Sequence, residues 1–262
     1  MLELFQYGAR HRVRGSVAMA VGVALLAGIV LWIYPSMQAS VNLDQLMAAY
    51  PEPVLKAFGV ETLSTLAGFL SVELYSFAWV ILFGLYTAYA AASMVADAVE
   101  DGRMDLWLSL PIRRRRLLTE QYLTLLVPIL VVNAVTPVVI YAGAALVNEP
   151  ISTRNLVMVH VLSVPYLLAT AAIGLVFGVV FTRSALAERL ALALVFALFL
   201  IQSLLTGTDY AWAGLVSPTH YYDVTAILVH GEYDYTAAVI LLVTAAVLVA
   251  VAAAIFSRRD VG

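Results

Sequence analysis

The sequence has little charge, a single lysine and no cysteine. Only 12% of its 262 residues are charged and 63% are hydrophobic, whereas a soluble domain carries about 25% charged residues. A water-soluble fold could not bury this much apolar surface, so lipid is the expected solvent. The absence of cysteine excludes disulfides, thiolate metal sites and thiol catalysis.

Signatures of nucleotide binding and of catalysis are also missing. A P-loop needs a lysine after glycine, and the only lysine, Lys56, follows Leu55. The four histidines show no HExxH spacing, and there is no GxSxG nucleophile elbow. A net charge of −3 gives no indication of nucleic-acid binding. We therefore expect no enzymatic activity in this chain, no metal or cofactor bound by it, and no nucleic-acid partner.

What the sequence does contain is long apolar runs. Six of them reach or approach the ~20 residues of helix that cross a bilayer, at residues 16–34, 77–95, 122–147, 156–182, 190–205 and 236–256. The runs are continuous and do not alternate, which predicts helices and not a β-barrel. The first run exceeds the length of a signal-peptide core, so we expect an anchor. The fold class is therefore all-α integral membrane, a single six-span domain over residues 1–262.

The arginines predict the orientation of the spans. If the N-terminus is cytoplasmic, the inner segments hold twelve arginines, and the outer segments hold only Lys56 and Arg154. This bias follows the positive-inside rule and places both termini in the cytoplasm. The last outer loop, residues 206–235, has a mildly apolar run at 224–229, which is too short to span. Two alternatives stay open there: an interfacial or re-entrant helix, and an ordinary loop with interfacial aromatic residues.

Polar residues inside the spans have two interpretations. Tyr86 and Tyr89 in the second span, Asn133 in the third and Gln202 in the fifth are candidates for lining a transport pathway. The alternative, which we favour, is that they hydrogen-bond between helices. His160 is the one clear ionisable group within the spans, and we expect a hydrogen-bonded structural histidine rather than a proton relay. The spans therefore give little support to an ion-coupled pump.

Charge is concentrated in one stretch, residues 100–116, which read EDGRMDLWLSLPIRRRR. Eight of the 31 charged residues (14 basic and 17 acidic) lie there. Gly102 offers a break after the second span. Pro111 ends the following element, because it cannot donate a backbone hydrogen bond and disfavours helix at the residue before it. The pattern predicts a short cytoplasmic helix of about two turns between spans two and three.

The apolar face of this short helix needs a partner. Leu106, Trp107 and Leu110 group on one side, and two turns of helix cannot bury that side against themselves. The run Arg113–Arg116 favours anionic lipid headgroups. Four acidic residues do not fit a strip that binds only lipid, and they favour a protein partner for the first half of the stretch: Asp97, Glu100, Asp101 and Asp105.

The stretch from Glu100 to Leu118 resembles the cytoplasmic loop of the ABC-2 family, the six-span permease subunits of ATP-binding-cassette exporters. Those loops run acidic residue, Gly, a few variable positions, Leu-x-Leu-Ser-x-Pro and then a basic residue. The similarity continues in the basic start at residues 10–14, the SPTHYYD at 217–223 and the FSRRD at 256–260. Trp107 departs from the usual aliphatic residue, and the first outer loop is unusually long.

The resemblance implies a coupling helix near residues 97–111 that sits in a cleft of a separate ATPase subunit. The residues expected to carry the coupling are Glu100, Gly102, Arg103, Met104, Leu106, Trp107, Leu108, Pro111 and Arg113. ATP and magnesium would bind the partner subunit. The resemblance also implies a second permease copy, or a homologous permease, in a multi-pass assembly of a prokaryotic plasma membrane.

The expected function is export of a substrate at the expense of ATP hydrolysis by the partner. A nearly uncharged bundle suits hydrophobic or amphiphilic cargo, whose identity the sequence does not give. Two other functions are open: an ATP-independent carrier or channel, and a membrane scaffold or assembly factor that transports nothing.

Overall fold

The chain folds into a bundle of long helices. The computed structural model describes residues 3–40, 55, 62–104 and 112–258, and within them there is no β-strand. Six helices are long and apolar enough to cross a membrane. Their bounds are α1 Glu3–Ser40, α2 Leu66–Glu100, α3 Arg114–Leu146, α4 Thr153–Val180, α5 Ser184–Leu205 and α6 Tyr235–Arg258.

The six predicted spans are confirmed, and the helices run beyond the apolar stretches that predicted them. α2 begins at Leu66 and continues to Glu100, and α3 begins within the arginine run at Arg114. The fifth span was too short by itself, and the helix extends it back to Ser184. Polar helix ends cost little outside the hydrocarbon core, so helices continue into the interface where hydropathy no longer marks them.

Contacts between helix ends show which ends lie together. Arg12 of α1 donates to Thr124 of α3, and Ser184 at the start of α5 donates to Glu100 at the end of α2. The ends of α2, α4 and α6 join the start of α3 in one apolar cluster. We call this the arginine-rich end; its described arginines are Arg10, Arg12, Arg14, Arg103, Arg113, Arg114, Arg115, Arg116, Arg183, Arg189 and Arg258. That it faces the cytoplasm stays a prediction.

Helix α4 is the centre of the bundle. It contacts α2, α3, α5 and α6, while α1 packs mainly on α3. α2 and α4 are the most buried spans, and α5 is the least buried. The chain that continues from α2 at the arginine-rich end is therefore attached to the most buried pair of helices, α2 and α4.

Small residues let α2 and α4 approach closely. A Cβ atom at Gly178 would lie 2.5 Å from the carbonyl oxygen of Ala92, and one at Gly174 would overlap the carbonyl oxygen of Ala88. The spacing Gly-x-x-x-Gly on α4 against Ala-x-x-x-Ala on α2 is typical of tightly packed membrane helices. A hydrogen bond of 2.8 Å between the hydroxyls of Thr87 and Thr170 joins the same pair.

The half of α2 away from the arginine-rich end is π-helical over Ser71–Phe83. Where the backbone hydrogen bonds change from α-helical to π-helical spacing, carbonyl oxygens become available to donors from other helices. The hydroxyl of Tyr166 on α4 donates to the carbonyl of Val80 at 2.7 Å. A neighbouring helix thus supplies a hydrogen bond to this backbone carbonyl, because backbone polar groups within a membrane need a partner in the protein.

The loop before α6 folds into short helical turns, Ala211–Val216, Pro218–Tyr221 and Ala226–His230. Tyr222 is buried, and its hydroxyl donates to the carbonyl of Val159 at 2.9 Å. Burial raises the pKa of Tyr222 well above its ordinary value, which keeps the hydroxyl a neutral donor. Ile227 and Leu228 are buried with it. The helical alternative for this loop is closer to the structure, although the loop packs against α4 instead of lying free at the interface.

Candidate functional site

The end of α2 forms the predicted break before the chain that links α2 to α3, residues 101–113, which we call the coupling segment after its predicted role. The amide of Asp101 donates to the carbonyl of Asp97 at 2.9 Å, and Gly102 follows with φ +69°. A left-handed residue just after a helix is most readily a glycine, since a side chain there is strained. The role of Gly102 in ending the helix is confirmed.

Met104 anchors the beginning of the coupling segment. Its side chain is 2% exposed and belongs to the apolar cluster that contains Leu117, Leu118 and Phe256. In this conformation Met104 therefore packs inside the permease and holds the segment to α3 and α6. The sequence placed Met104 among the residues that touch the partner; the structure gives it a contact within the bundle.

Two of the expected docking residues are exposed at the same end. Arg103 donates to Asp101 at 2.9 Å, and both side chains are more than half exposed, so this ion pair contributes little to stability. Arg113 is exposed and begins α3 in an extended conformation, with no side-chain capping bond. Both arginines are accessible to a partner, and their docking role stays a prediction.

The centre of the coupling segment, residues 105–111, lies outside the described residues. The predictions for Leu106, Trp107, Leu108 and Pro111 fall there. The described residues fix both ends of the segment, at Met104 and at Ile112, so the positions where it joins α2 and α3 are known.

Glu100 makes a contact that sequence reasoning missed. Its carboxylate accepts the backbone N–H of Ser184, the first residue of α5, at 2.7 Å. Arg183 at the N-cap of α5 offers no side-chain cap, so Glu100 supplies the missing cap from another helix. The bond favours a carboxylate, because helix N-termini carry partial positive charge. It ties the last residue of α2 to α5, and no local signal at Glu100 could have named that distant partner.

Replacing Glu100 by alanine should loosen the first turn of α5, because the N–H of Ser184 loses its acceptor. Glu100→Gln keeps a carbonyl oxygen and should loosen the turn less. Amide hydrogen exchange in the first turn of α5 measures this, with the order E100A faster than E100Q, and E100Q faster than wild type. Asp101→Ala, which removes the neighbouring carboxylate, is the control; equal exchange in E100A and D101A contradicts the capping role.

The four candidate pathway residues are not brought to one place. Asn133 accepts a hydrogen bond of 2.8 Å from Ser163 of α4, and Gln202 lies against Gly214 and donates to Thr206 at 3.3 Å. The bond of Asn133 fits the interhelical alternative. The bond of Gln202 stays within the end of α5, whose C-cap is Thr206. Tyr86 is partly buried and packs against both main apolar clusters, while Tyr89 is 41% exposed. A pathway lined by them stays a prediction.

A buried aromatic group surrounds His160 in the half of the bundle away from the arginine-rich end. His160 is 3% exposed, and its Nδ1 lies 2.8 Å from the carbonyl oxygen of Leu156. A carbonyl only accepts, so Nδ1 carries the proton. The rings of Tyr75 and Trp79 pack edge-on at 5.5 and 5.0 Å. This arrangement fits the structural histidine expected from the sequence.

The whole chain has been compared with known proteins. The family model described as ABC-2 family transporter protein matches residues 4–261, which includes all six spans and the segment between α2 and α3. No curated protein matches the chain. The match agrees with the six apolar helices and with the helix break that precedes the coupling segment. The chain therefore belongs to the ABC-2 family of membrane transporter proteins.

Proposed function

We propose that this permease subunit exports a hydrophobic or amphiphilic substrate, driven by ATP hydrolysis in a separate nucleotide-binding subunit that docks on residues 97–111. The family match over nearly the whole chain carries the proposal. The helix break at Gly102 supports it, because α2 ends at the arginine-rich end, where the predicted coupling segment begins. The absence of a P-loop in the sequence fits this division of labour.

The contacts at the arginine-rich end suggest how force would travel. The segment is attached to α2 directly and to α3 through Ile112, and its Met104 shares a buried apolar cluster with Phe256 of α6. Glu100 joins the end of α2 to α5. A displacement of the segment would therefore reach four helices, which is the geometry that rigid-body tilting between inward-open and outward-open states needs.

A second permease would complete the transport pathway between two halves. The least buried spans are the natural surfaces for it and for lipid. α5 is buried over the smallest fraction of its apolar length and exposes Phe196, Leu200 and Leu204. The assembly would then be two permeases and two ATPase subunits in a prokaryotic plasma membrane.

The test is co-expression with a P-loop ATPase sought among the genes that flank this one. We expect the two proteins to copurify, and proteoliposomes to move a hydrophobic dye only when ATP is hydrolysed. Dye movement without nucleotide supports an ATP-independent carrier or channel. Stable copurification with a partner that lacks ATPase activity supports a scaffold. Either result contradicts the proposal.

A further inference from the structure

One basic side chain of the arginine-rich end lies inside the bundle. The Nε of Arg12 on α1 donates to the hydroxyl of Thr124 on α3 at 2.9 Å. The Thr124 hydroxyl itself donates to the carbonyl of Gln121 at 2.6 Å, so it is oriented to accept from Arg12. Gly8, one turn earlier, permits this close approach, because a Cβ there would lie 2.8 Å from the Thr124 methyl group.

The neighbouring arginines of α1 face elsewhere. Positions two apart on a helix differ by about 200°, so Arg10 and Arg14 share one face and Arg12 lies on the opposite face. The structure agrees: Arg10 and Arg14 are exposed, and Arg12 is partly buried. Arg12 is therefore not on the exposed face of α1, where Arg10 and Arg14 are placed to contact lipid headgroups.

The positive charge of Arg12 is not balanced by an acidic side chain among residues 3–40, 62–104 and 112–258. Its bonded partner is the neutral hydroxyl of Thr124. A guanidinium carries five N–H donors, and one of them is used here. A partly desolvated, uncompensated charge in a membrane bundle is costly and usually serves a function.

We propose that Arg12, positioned by Thr124, binds the anionic headgroup of an amphiphile between α1 and α3. The remaining donors of a guanidinium form a planar fork that matches a phosphate or a carboxylate. The tails of such a ligand would lie along the apolar faces of the spans. The proposal deepens the proposed function, and rests on it, in one respect: it makes the cargo class anionic amphiphiles. The binding site itself stands on the contacts of Arg12.

The binding experiment uses the full chain in detergent, equilibrated with equal amounts of phosphatidylglycerol and phosphatidylcholine, and native mass spectrometry of retained lipid. Wild type should retain phosphatidylglycerol preferentially, and Arg12→Gln should lower that retention at least tenfold. Arg12→Lys keeps the charge but loses the fork, and should lose less. Arg14→Gln, an exposed arginine on the outward face, should behave as wild type.

Thr124→Val keeps the charge and removes only its positioning acceptor, so it covers the case in which Arg12→Gln does not fold. It should lower retention of phosphatidylglycerol severalfold. Equal retention by wild type, R12Q and T124V overturns the site, and so does an equal loss in R12Q and R14Q.

A second arm separates cargo from resident lipid. Proteoliposomes with the ATPase subunit are supplied with fluorescent phosphatidylglycerol, and its movement between leaflets is measured with and without ATP. ATP-dependent movement that R12Q abolishes identifies the anionic amphiphile as cargo. Arg12-dependent retention without movement keeps the site and identifies a resident lipid. Failure of all ATP-driven transport would count against the proposed function alone, because the binding arm needs no nucleotide.

Discussion

Replacing Gly174 by leucine should leave no folded, monodisperse permease. A Cβ atom at this position would overlap the carbonyl oxygen of Ala88 and lie 2.7 Å from its carbonyl carbon. Both are backbone atoms in the middle of a helix and cannot turn aside as a flexible side chain can. α2 and α4 would have to separate, and both main apolar clusters include residues of this pair. Size-exclusion chromatography after detergent extraction measures the loss.

Gly174→Ala is the milder test. The gain in helix propensity from Gly to Ala is about 1 kcal/mol, while overpacking of a close contact costs about 1–3 kcal/mol. Because the clash is with rigid backbone, we expect the cost to exceed the gain and the melting temperature to fall by several degrees.

The matched controls are Gly28→Leu and Gly28→Ala on α1, where nothing lies within 4 Å of the added Cβ. Both should fold, and G28A should melt at or slightly above the wild-type temperature. If G174A has the same melting temperature as G28A, the tight crossing of α2 and α4 does not hold the bundle together.

The six spans were readable from the sequence because hydropathy reports transfer into lipid, and that term dominates in a membrane. The crossing of α2 and α4 was not, although Gly174 and Gly178 have the right spacing. Small residues four apart occur on many membrane helices, and the partner, Ala88 and Ala92, lies over eighty residues away. The π-helical segment Ser71–Phe83 also has no local signature, because the partner of its Val80 carbonyl is Tyr166 on another helix.

The candidate site was predictable where the effect of a residue is local, and not where it depends on how distant helices pack. Gly102 was identified because its effect is local: a glycine after a helix and before a proline-terminated element marks a break. The burial of Met104 was not, since methionine suits both a core and a docking face. The contact of Glu100 with Ser184 depends on how α2 and α5 pack, which apolar runs do not specify.

These contacts divide the coupling residues into two groups. Met104, Gly102 and Glu100 fix the segment to the permease, so their substitution should change the permease itself. Leu106, Trp107 and Leu108 lie outside the described residues, and their contact with the ATPase subunit is a prediction from the family resemblance. A change confined to the second group should leave the bundle intact and affect only the partner.

Replacing Leu106 and Leu108 together by aspartate is therefore expected to separate transport from folding. Two carboxylates placed in an apolar cleft lose hydration without gaining a partner, and we expect the affinity for the ATPase subunit to fall at least a hundredfold, about 2.7 kcal/mol. The melting temperature of the isolated permease should not change, because Met104 still anchors the segment. Copurification with the ATPase and ATP-dependent dye transport are the measurements.

The matched control for this double substitution is Leu106→Met with Leu108→Met, which keeps apolar volume and should retain both activities. Trp107→Leu restores the aliphatic residue usual in the family loop, and it too should couple. Normal ATPase binding and transport by the aspartate variant would mean that the apolar face of the segment does not meet the ATPase. Loss of binding in the methionine variant as well would mean that the loss reflects a disturbed segment and not a buried charge. Only binding lost with aspartate and kept with methionine locates the force-transmitting contact at these two side chains.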